Sequence, residues 1–481
     1  MKTLDLYLFL SSFTLCVAMV AVAEMLRKRD GSRFLTAVVA LLAIPCNAYV
    51  GSHLDPERSV LGIFQYLSQE RDTSAIVAVT MGIAAAVAWY VRLFRTSNEP
   101  ALSGRLRWTE SILLALSVAA VVMCGQAYLW KEVLGFTRYA FTVQPPFLIE
   151  KIADLDEEPL RMAIDERGDI FICYDYFKKH GAWGGAILRF RENPDTGAFE
   201  PRIVVESPFL ARCYGLAVHN GDIYVSRSGF LPRTNLGQVT YAHSGAITQL
   251  KDLDGDGYYE YAHDVITDLP GVRAPDTMQQ NNGIVFASDG SLFVTNASAA
   301  DRTLDEHPWG GTILRFPPDF SAPEIYARGF RNPWEIDLGP DDEVFVTDSD
   351  VDKNPGDEIN HVQSGAHYGH PFVIPNEPGV HPEGFVDPVF VGERESVFLG
   401  MTYATSARLP EKFRNCIYVA DFRQDRILRV VLGRAGETYK AEDVQPFAFV
   451  PSPIDIVATG DGEFFVISRR AKQLYRIRTK N

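Results

Sequence analysis

The side chains best suited to chemistry gather between positions 329 and 371. Arg331-Asn332-Pro333 opens the run with a permanent cation and an amide, ahead of a residue whose ring fixes φ. Asp348, Asp350, Asp352, Asp357 and Glu358 follow, hard oxygen donors of the kind that hold Ca²⁺. A solvated acidic loop has the same composition, so carboxylates alone leave both readings open. A second acidic group, Asp252, Asp254 and Asp256, alternates along a stretch that turns at Gly255 and Gly257, with Glu260 beyond. This spacing matches the first half of an EF-hand loop, but His263 stands at the twelfth position in place of the bidentate glutamate. The group is expected to staple a surface excursion with Ca²⁺ and to take no part in catalysis. Histidines are the natural general bases, contributing roughly 10²–10⁴ in rate when well placed. Nine of the ten lie beyond residue 147, and most are expected at turns or on the surface.

These residues need a frame, and a repeat supplies it. An alternating strand, a tight Gly/Asp turn and a strongly β-forming strand recur at 159–173, 213–226, 282–295, 333–347, 400–420 and 453–467. Six copies at blade-sized intervals are the signature of a β-propeller. Several copies are followed by an outer-strand phrase of one type, as at 185–190, 311–316, 426–430 and 473–477. The run 147–153, upstream of the first copy, is expected to pair with the last blade and close the ring. An all-β six-bladed propeller therefore spans 147–481. Many propellers only bind, so chemistry has to be argued at the central funnel.

Arg-Asn-Pro, the hairpin behind it, Asn354-Pro355-Gly356-Asp357-Glu358-Ile359-Asn360 and Gly365-Ala366-His367-Tyr368-Gly369-His370-Pro371 occur here in a set order and spacing. Together they resemble the glucose/sorbosone dehydrogenase family. The resemblance covers roughly 147–479 and is strongest over 329–371. It implies a six-bladed propeller that oxidises sugars with pyrroloquinoline quinone and Ca²⁺. By position it implies that Arg331 and Asn332 contact the quinone, joined by Arg423 where the family has a lysine. The family's base is a histidine shortly ahead of a strand like 283–286, where this chain has Gln280. An arginine expected before the last-blade phrase is also replaced, since the chain reads Ser452-Pro453-Ile454-Asp455. Each charge-assisted hydrogen bond to a cofactor carboxylate contributes about 1.5–3 kcal/mol, so that loss weakens the cofactor site. His370, in place of the aromatic residue usual before that proline, or His307 is left as a substitute base.

The first 130 residues have another character. Four apolar segments, 6–25, 34–50, 75–91 and 112–130, each approach the ~17–25 residues that span a bilayer. Trp89, Trp108 and Trp130 sit near their ends, where aromatic belts form. Arg27, Lys28, Arg29 and Arg33 fill the first connection, and Arg92, Arg95, Arg105 and Arg107 fill the third. The second connection carries Arg58 and Arg71 against four acidic residues. The positive-inside rule then puts both termini outside. A cleavable signal peptide ending at Ala21-Val22-Ala23 is the competing reading, but it would leave the Arg27–Arg29 cluster outside. The expectation is thus four transmembrane helices over 1–130, a connection over 131–146 and a propeller on the periplasmic or extracellular side of a cell inner membrane. Membrane lipid is the implied partner, and no histidine lies within the segments to hold a haem. The bundle is expected to act as an anchor, with transfer to a membrane quinone as the alternative.

Charge agrees with this division. The chain has a net charge of −15, but residues 1–145 carry +3 and the remainder −18. Such a propeller does not neutralise phosphate, which excludes nucleic acid as a partner. Among the six cysteines no CxxC occurs, and Cys173 with Cys213 is the pair open to a disulfide in an exported domain. The expected function is a membrane-anchored quinoprotein-type oxidoreductase acting on a sugar or polyol at the outer face. A base would take the hydroxyl proton while hydride passes to the quinone and Ca²⁺ polarises the accepting carbonyl. The alternatives are a non-catalytic ligand- or protein-binding propeller and a Ca²⁺-dependent lactonase-type hydrolase.

Overall fold

The computed structural model describes residues 143–480 except 178–182, 211–212, 228–243, 272–280, 306, 352–355, 376 and 395. The four apolar segments, Gln280 and Asp352 lie outside the described residues. Among the described residues, no helix is long and apolar enough to cross a membrane.

Each sequence repeat becomes the inner pair of a four-stranded antiparallel sheet, and six such sheets form the propeller. Blade 1 is β2 (Pro159–Ile164), β3 (Ile170–Phe177), β4 (Trp183–Glu192) and β5 (Phe199–Ser207). Blade 2 is β6 (Cys213–His219), β7 (Asp222–Arg227), β8 (Gly245–Lys251) and β9 (Tyr261–Leu269). Blade 3 is β10 (Asn281–Phe286), β11 (Leu292–Asn296), β12 (Thr312–Phe316) and β13 (Glu324–Arg328). Blade 4 is β14 (Pro333–Leu338), β15 (Val344–Asp348), β16 (Glu358–Val362) and the two-residue β17 (Phe390–Val391). Blade 5 is β18 (Phe398–Ala404), β19 (Cys416–Asp421), β20 (Arg426–Ala435) and β21 (Thr438–Phe449). Blade 6 takes β22 (Pro453–Ala458), β23 (Phe464–Ser468) and β24 (Gln473–Thr479) from the end of the chain and β1 (Phe147–Asp154) from its start. The recurring outer phrases of the sequence form third strands, each covered by one further strand.

The expected closure is present. β1 pairs antiparallel with β24 from Phe147↔Thr479 to Asp154↔Gln473. Phe147, 3% exposed, packs edge-on against Phe413, Phe447 and Phe464 at 4.8, 5.1 and 6.1 Å between ring centroids. Such pairs contribute about 0.5–1.5 kcal/mol each beyond burial, so the closing strand is held by packing as well as by its ladder.

Neighbouring inner strands are also stitched side chain to backbone. Arg161 donates to the Tyr214 carbonyl between blades 1 and 2. At the next joint the backbones touch, and a Cβ on Gly215 would lie 2.1 Å from the Asn282 carbonyl oxygen, so only glycine fits. Asn282 Nδ2 donates to the Pro333 carbonyl at 3.0 Å, and the Tyr403 amide donates to Asp337 at 2.8 Å. The Ala458 amide donates to Thr402 Oγ1 at 3.2 Å, and the Met162 amide to Asp455 at 2.8 Å, completing the circuit. Cys173 and Cys213 do not form a disulfide. Both are free and buried, and the Cys173 thiol points at the Cys213 carbonyl at 3.3 Å.

Alternation of strand direction sorts the loops. Links from one blade into the next inner strand open on one face with the turns between second and third strands, and the remaining turns open on the other. The Arg331-Asn332 link, the 349–357 turn and the turn carrying Arg423 thus share a face. The 252–260 turn lies between third and fourth strands, on the opposite face.

Candidate functional site

The geometry of the shared face is built around Arg331 and Asn332. Asp348, at the end of β15, accepts the Arg331 amide at 3.0 Å and the Asn332 amide at 2.7 Å, one on each carboxylate oxygen. Asn282 from blade 3 donates to Asn332 Oδ1 at 3.0 Å. The Asn332 side chain is thereby oriented from its oxygen, and its Nδ2 makes no hydrogen bond among the described residues. Arg331 Nη2 is paired with Asp301 at 2.9 Å, which points its guanidinium along the blade 3–4 boundary. Asp301 and Asn282 carry no motif of their own in the sequence.

Four of the carboxylates expected to bind metal lie beneath this pair and feel one another's charge, although among the described residues only Asp252, Asp254 and Glu260, on the opposite face, bring three ligand oxygens within 4.8 Å. Asp357 accepts the Asp350 amide at 3.1 Å and the Phe398 amide at 2.8 Å, tying the turn to blade 5. Asp350 Oδ1 accepts the Val351 amide at 2.6 Å, while its Oδ2 is buried without a partner. Glu358 accepts Asn360 Nδ2 at 3.2 Å, and Asn360 Oδ1 is likewise buried and unpartnered. Burial pushes the Asp348 carboxyl up to about 8 and Asp350 up to about 6. Glu358 is raised well above the ordinary range, by burial and then by the charges of Asp348, Asp350 and Asp357. Two of these carboxylates thus serve chiefly to hold backbone. Asp350 and Glu358 keep oxygen capacity in a place that disfavours their anions unless a cation joins them.

His370 reaches the same level by an unusual route. The segment after β16 climbs alongside β13, with a parallel bridge between Arg328 and His367. The Tyr368 amide donates to the Arg328 carbonyl and the His370 amide to the Gly329 carbonyl, each at 2.9 Å. Gly329, at φ +87, is required there, because a Cβ would fall 2.3 Å from His367 Nδ1. His370 is 8% exposed, and neither ring nitrogen reaches a hydrogen-bond partner at normal geometry. Burial pushes its pKa down to about 4, helped by Arg331 and His367 and opposed by the Ala300 backbone and Asp301. The imidazole is therefore neutral at pH 7. Beside it lies a cleft of about 190 Å³ lined by Ser298, Asp305, His307, Arg328, His367 and His370, among others.

The other candidates are more scattered. Arg423 stands exposed in the β19–β20 turn, and no described contact joins it to Arg331. Asp252, Asp254 and Glu260 bring carboxylate oxygens within 4.8 Å of one another, whereas Asp256 is not part of that group. Asp256 instead accepts the Tyr258 amide at 2.6 Å.

Residues 218–476, more than half of the chain, match the family described as Glucose / Sorbosone dehydrogenase. The chain belongs to the glucose/sorbosone dehydrogenase family. Solved structures agree on the six-bladed fold of this glucose/sorbosone dehydrogenase family member. The PQQ-bound aldose sugar dehydrogenase of Streptomyces coelicolor is 18% identical with a TM-score of 0.52, over 70% of this chain and all of its own. The PQQ domain of the Coprinopsis cinerea pyranose dehydrogenase gives 12% and 0.54, over 71% of this chain and 97% of its own. A calcium structure of a Trichoderma reesei family AA12 carbohydrate-active enzyme gives 15% and 0.53, over 72% and 98%. No curated protein matches the chain.

The residues present fit the group such enzymes carry. A quinone with several carboxylates needs donors and cations, and this face offers Arg331, the unengaged amide nitrogen of Asn332 and the exposed guanidinium of Arg423. Asp350 and Asn360 each keep a buried, partnerless oxygen, the type of donor that a hard cation takes.

Proposed function

We propose that the chain is a membrane-anchored quinoprotein-type oxidoreductase that oxidises a small sugar or polyol at the outer face of a cell inner membrane. The observation that carries this reading is the Arg331-Asn332 pair, fixed at the mouth of the ring by Asp348 and Asn282 in a family of sugar dehydrogenases. Pyrroloquinoline quinone and Ca²⁺ are the proposed cofactors, and when bound the quinone supplies the acceptor for a hydride from the substrate carbon. Arg331, Asn332 and Arg423 would hold its oxygens, and Asp350 and Glu358 would hold the cation. Asp348 and Asp357 keep those residues in place through the backbone.

His370 would take the substrate's hydroxyl proton. It is neutral, buried and next to the Arg331–Asp301 pair, and Gln280, at the position where the family has its base, cannot accept a proton at neutral pH. The cleft beside His370, about 190 Å³, is smaller than the ~300–1,000 Å³ of drug-sized sites. It suits one small ring or a short polyol. The basic residues at 27–33 and 92–107 support an outward-facing propeller, and a membrane quinone is the proposed electron acceptor.

The test is aldose-dependent reduction of a dye by membranes carrying the full chain, supplied with pyrroloquinoline quinone and Ca²⁺. His370→Asn should lower turnover by roughly 10²–10⁴ while the cofactor still binds. Full turnover in that variant would remove His370 from the chemistry. The replaced base and the replaced last-blade arginine favour a second reading, a propeller that binds ligand without turning it over. Cofactor binding with no turnover on any aldose tried would support it.

A further inference from the structure

Beneath the Arg331-Asn332 link lies a group that no motif predicts. Arg161, on the inner strand of blade 1, is 2% exposed. Its Nε donates to the Tyr214 carbonyl, its Nη2 to the Trp334 carbonyl and its Nη1 to a Glu335 carboxylate oxygen. The guanidinium carbon lies 4.7 Å from the centre of the Trp334 ring, and the Tyr214 ring meets that ring edge-on at 5.3 Å. Tyr214 belongs to the adjacent blade, but Trp334 and Glu335 belong to blade 4, directly opposite blade 1 in a ring of six. One side chain therefore spans the axis and forms a floor under the mouth of the ring.

We infer that Arg161 is a positioning residue, which fixes the Arg331-Asn332-Pro333-Trp334 link from across the ring. The other anchors of the link come from its own side, among them the Ser298 and Ser349 amides, which donate to the Arg331 and Asn332 carbonyls at 2.8 and 3.1 Å. Asp348 holds the Arg331 and Asn332 amides, Asn282 holds the Asn332 side chain, and Thr295 Oγ1 joins Asn282 at the Pro333 carbonyl at 2.9 Å. These anchors fix the link's outer part. Arg161 holds its inner end through the Trp334 carbonyl, the indole face and the Glu335 carboxylate, and so sets the depth and tilt at which Arg331 and Asn332 stand. Lysine cannot reproduce this, since a single ammonium does not present three N–H directions in one plane. The effect of Arg161 on cofactor affinity rests on the reading above, whereas its hold on the link does not.

Removing Arg161 alone strands the Glu335 carboxyl and the Tyr214 and Trp334 carbonyls and takes a cation from buried Asp455, which destabilises any protein. The discriminating variant is therefore Arg161→Met with Glu335→Leu, which removes both partners of the pair and keeps apolar volume. Hydrogen exchange by mass spectrometry on the full chain, compared with wild type and Arg161→Lys, reads the position of the link. The Arg331 and Asn332 amides should exchange at least tenfold faster in the double variant, with Arg161→Lys intermediate and the β1–β24 amides unchanged. Wild-type exchange across 329–334 in the double variant would overturn the inference. So would acceleration spread evenly over the link and the β1–β24 ladder, which would make Arg161 a general core group. Titration with pyrroloquinoline quinone should show at least a tenfold weaker Kd in the double variant. If wild type binds no quinone while the link still loosens, the cofactor reading falls and the positioning role of Arg161 stands.

Discussion

The propeller carries two acidic clusters of similar composition, one on each face, and they behave as different materials. On the face of Arg331, Asp348 and Asp357 are buried and spend their oxygens on backbone amides of neighbouring loops. On the opposite face, Asp252 accepts the amides of Gly255 and Gly257 at 2.7 and 2.8 Å, all within its own exposed turn. The carboxylates of the first cluster organise residues distant in sequence, whereas Asp252 caps only its own turn, which is tied to β5 through Asp256 and Arg202. Identical side chains thus differ in consequence according to whose amides they satisfy and how much water remains around them.

Removing one carboxylate from each side tests the difference between the two clusters. Asp348→Ala leaves two amides of the site link without acceptors in a buried place, at about 1–3 kcal/mol each. Urea unfolding should show a loss of that order, together with loss of cofactor binding. A drop below about 0.5 kcal/mol would mean that the link is held by other groups. Asp252→Ala should cost less, because water can reach its turn.

The buried side can be sharpened by pH. Burial pushes the Glu335 carboxyl up, against the pull of Arg161 and with buried Asp455 adding to the rise. The folded chain then holds that proton more tightly than the unfolded chain does, so this contribution to stability is full below the unfolded glutamate pKa and is lost as pH rises through the raised folded one. Glu335→Gln should flatten the dependence, giving more similar urea midpoints at pH 5 and pH 8 than wild type shows. An unchanged slope would mean that Glu335 is already ionised in the folded protein.

How much of this was legible in the sequence depended on how local each feature is. The inner strand pairs were visible because alternation and a Gly/Asp turn sit within one short window, as at 282–295. The closure by β1 was visible as an orphan strand-like run. The role of Asp348 was not, because accepting amides at positions 331 and 332 leaves no mark beyond an aspartate near the end of a strand. His370 could be named from its place before Pro371, but its approach to Arg331 depends on the parallel bridge between β13 and His367, which no periodicity signals. Arg161 was missed entirely. Its one trace is a lone arginine in the apolar strand Pro159–Ile164, where a buried cation demands a partner.

The smallest expected effect tests the separation of the two faces. Asp254→Ala should leave affinity for pyrroloquinoline quinone within about twofold, a difference of roughly 0.4 kcal/mol. A tenfold loss would show that the 252–260 turn communicates with the site on the opposite face.

In the proposed function, Arg331 and Asn332 form the quinone-holding part of a dehydrogenase site. The most direct test of that role is an absorbance titration of the purified full chain with pyrroloquinoline quinone in the presence of Ca²⁺, beside the Arg331→Ala variant. Wild type should show a saturable spectral change, and the variant should bind at least a hundredfold more weakly. No spectral change in wild type, or equal affinity in the two proteins, would contradict it.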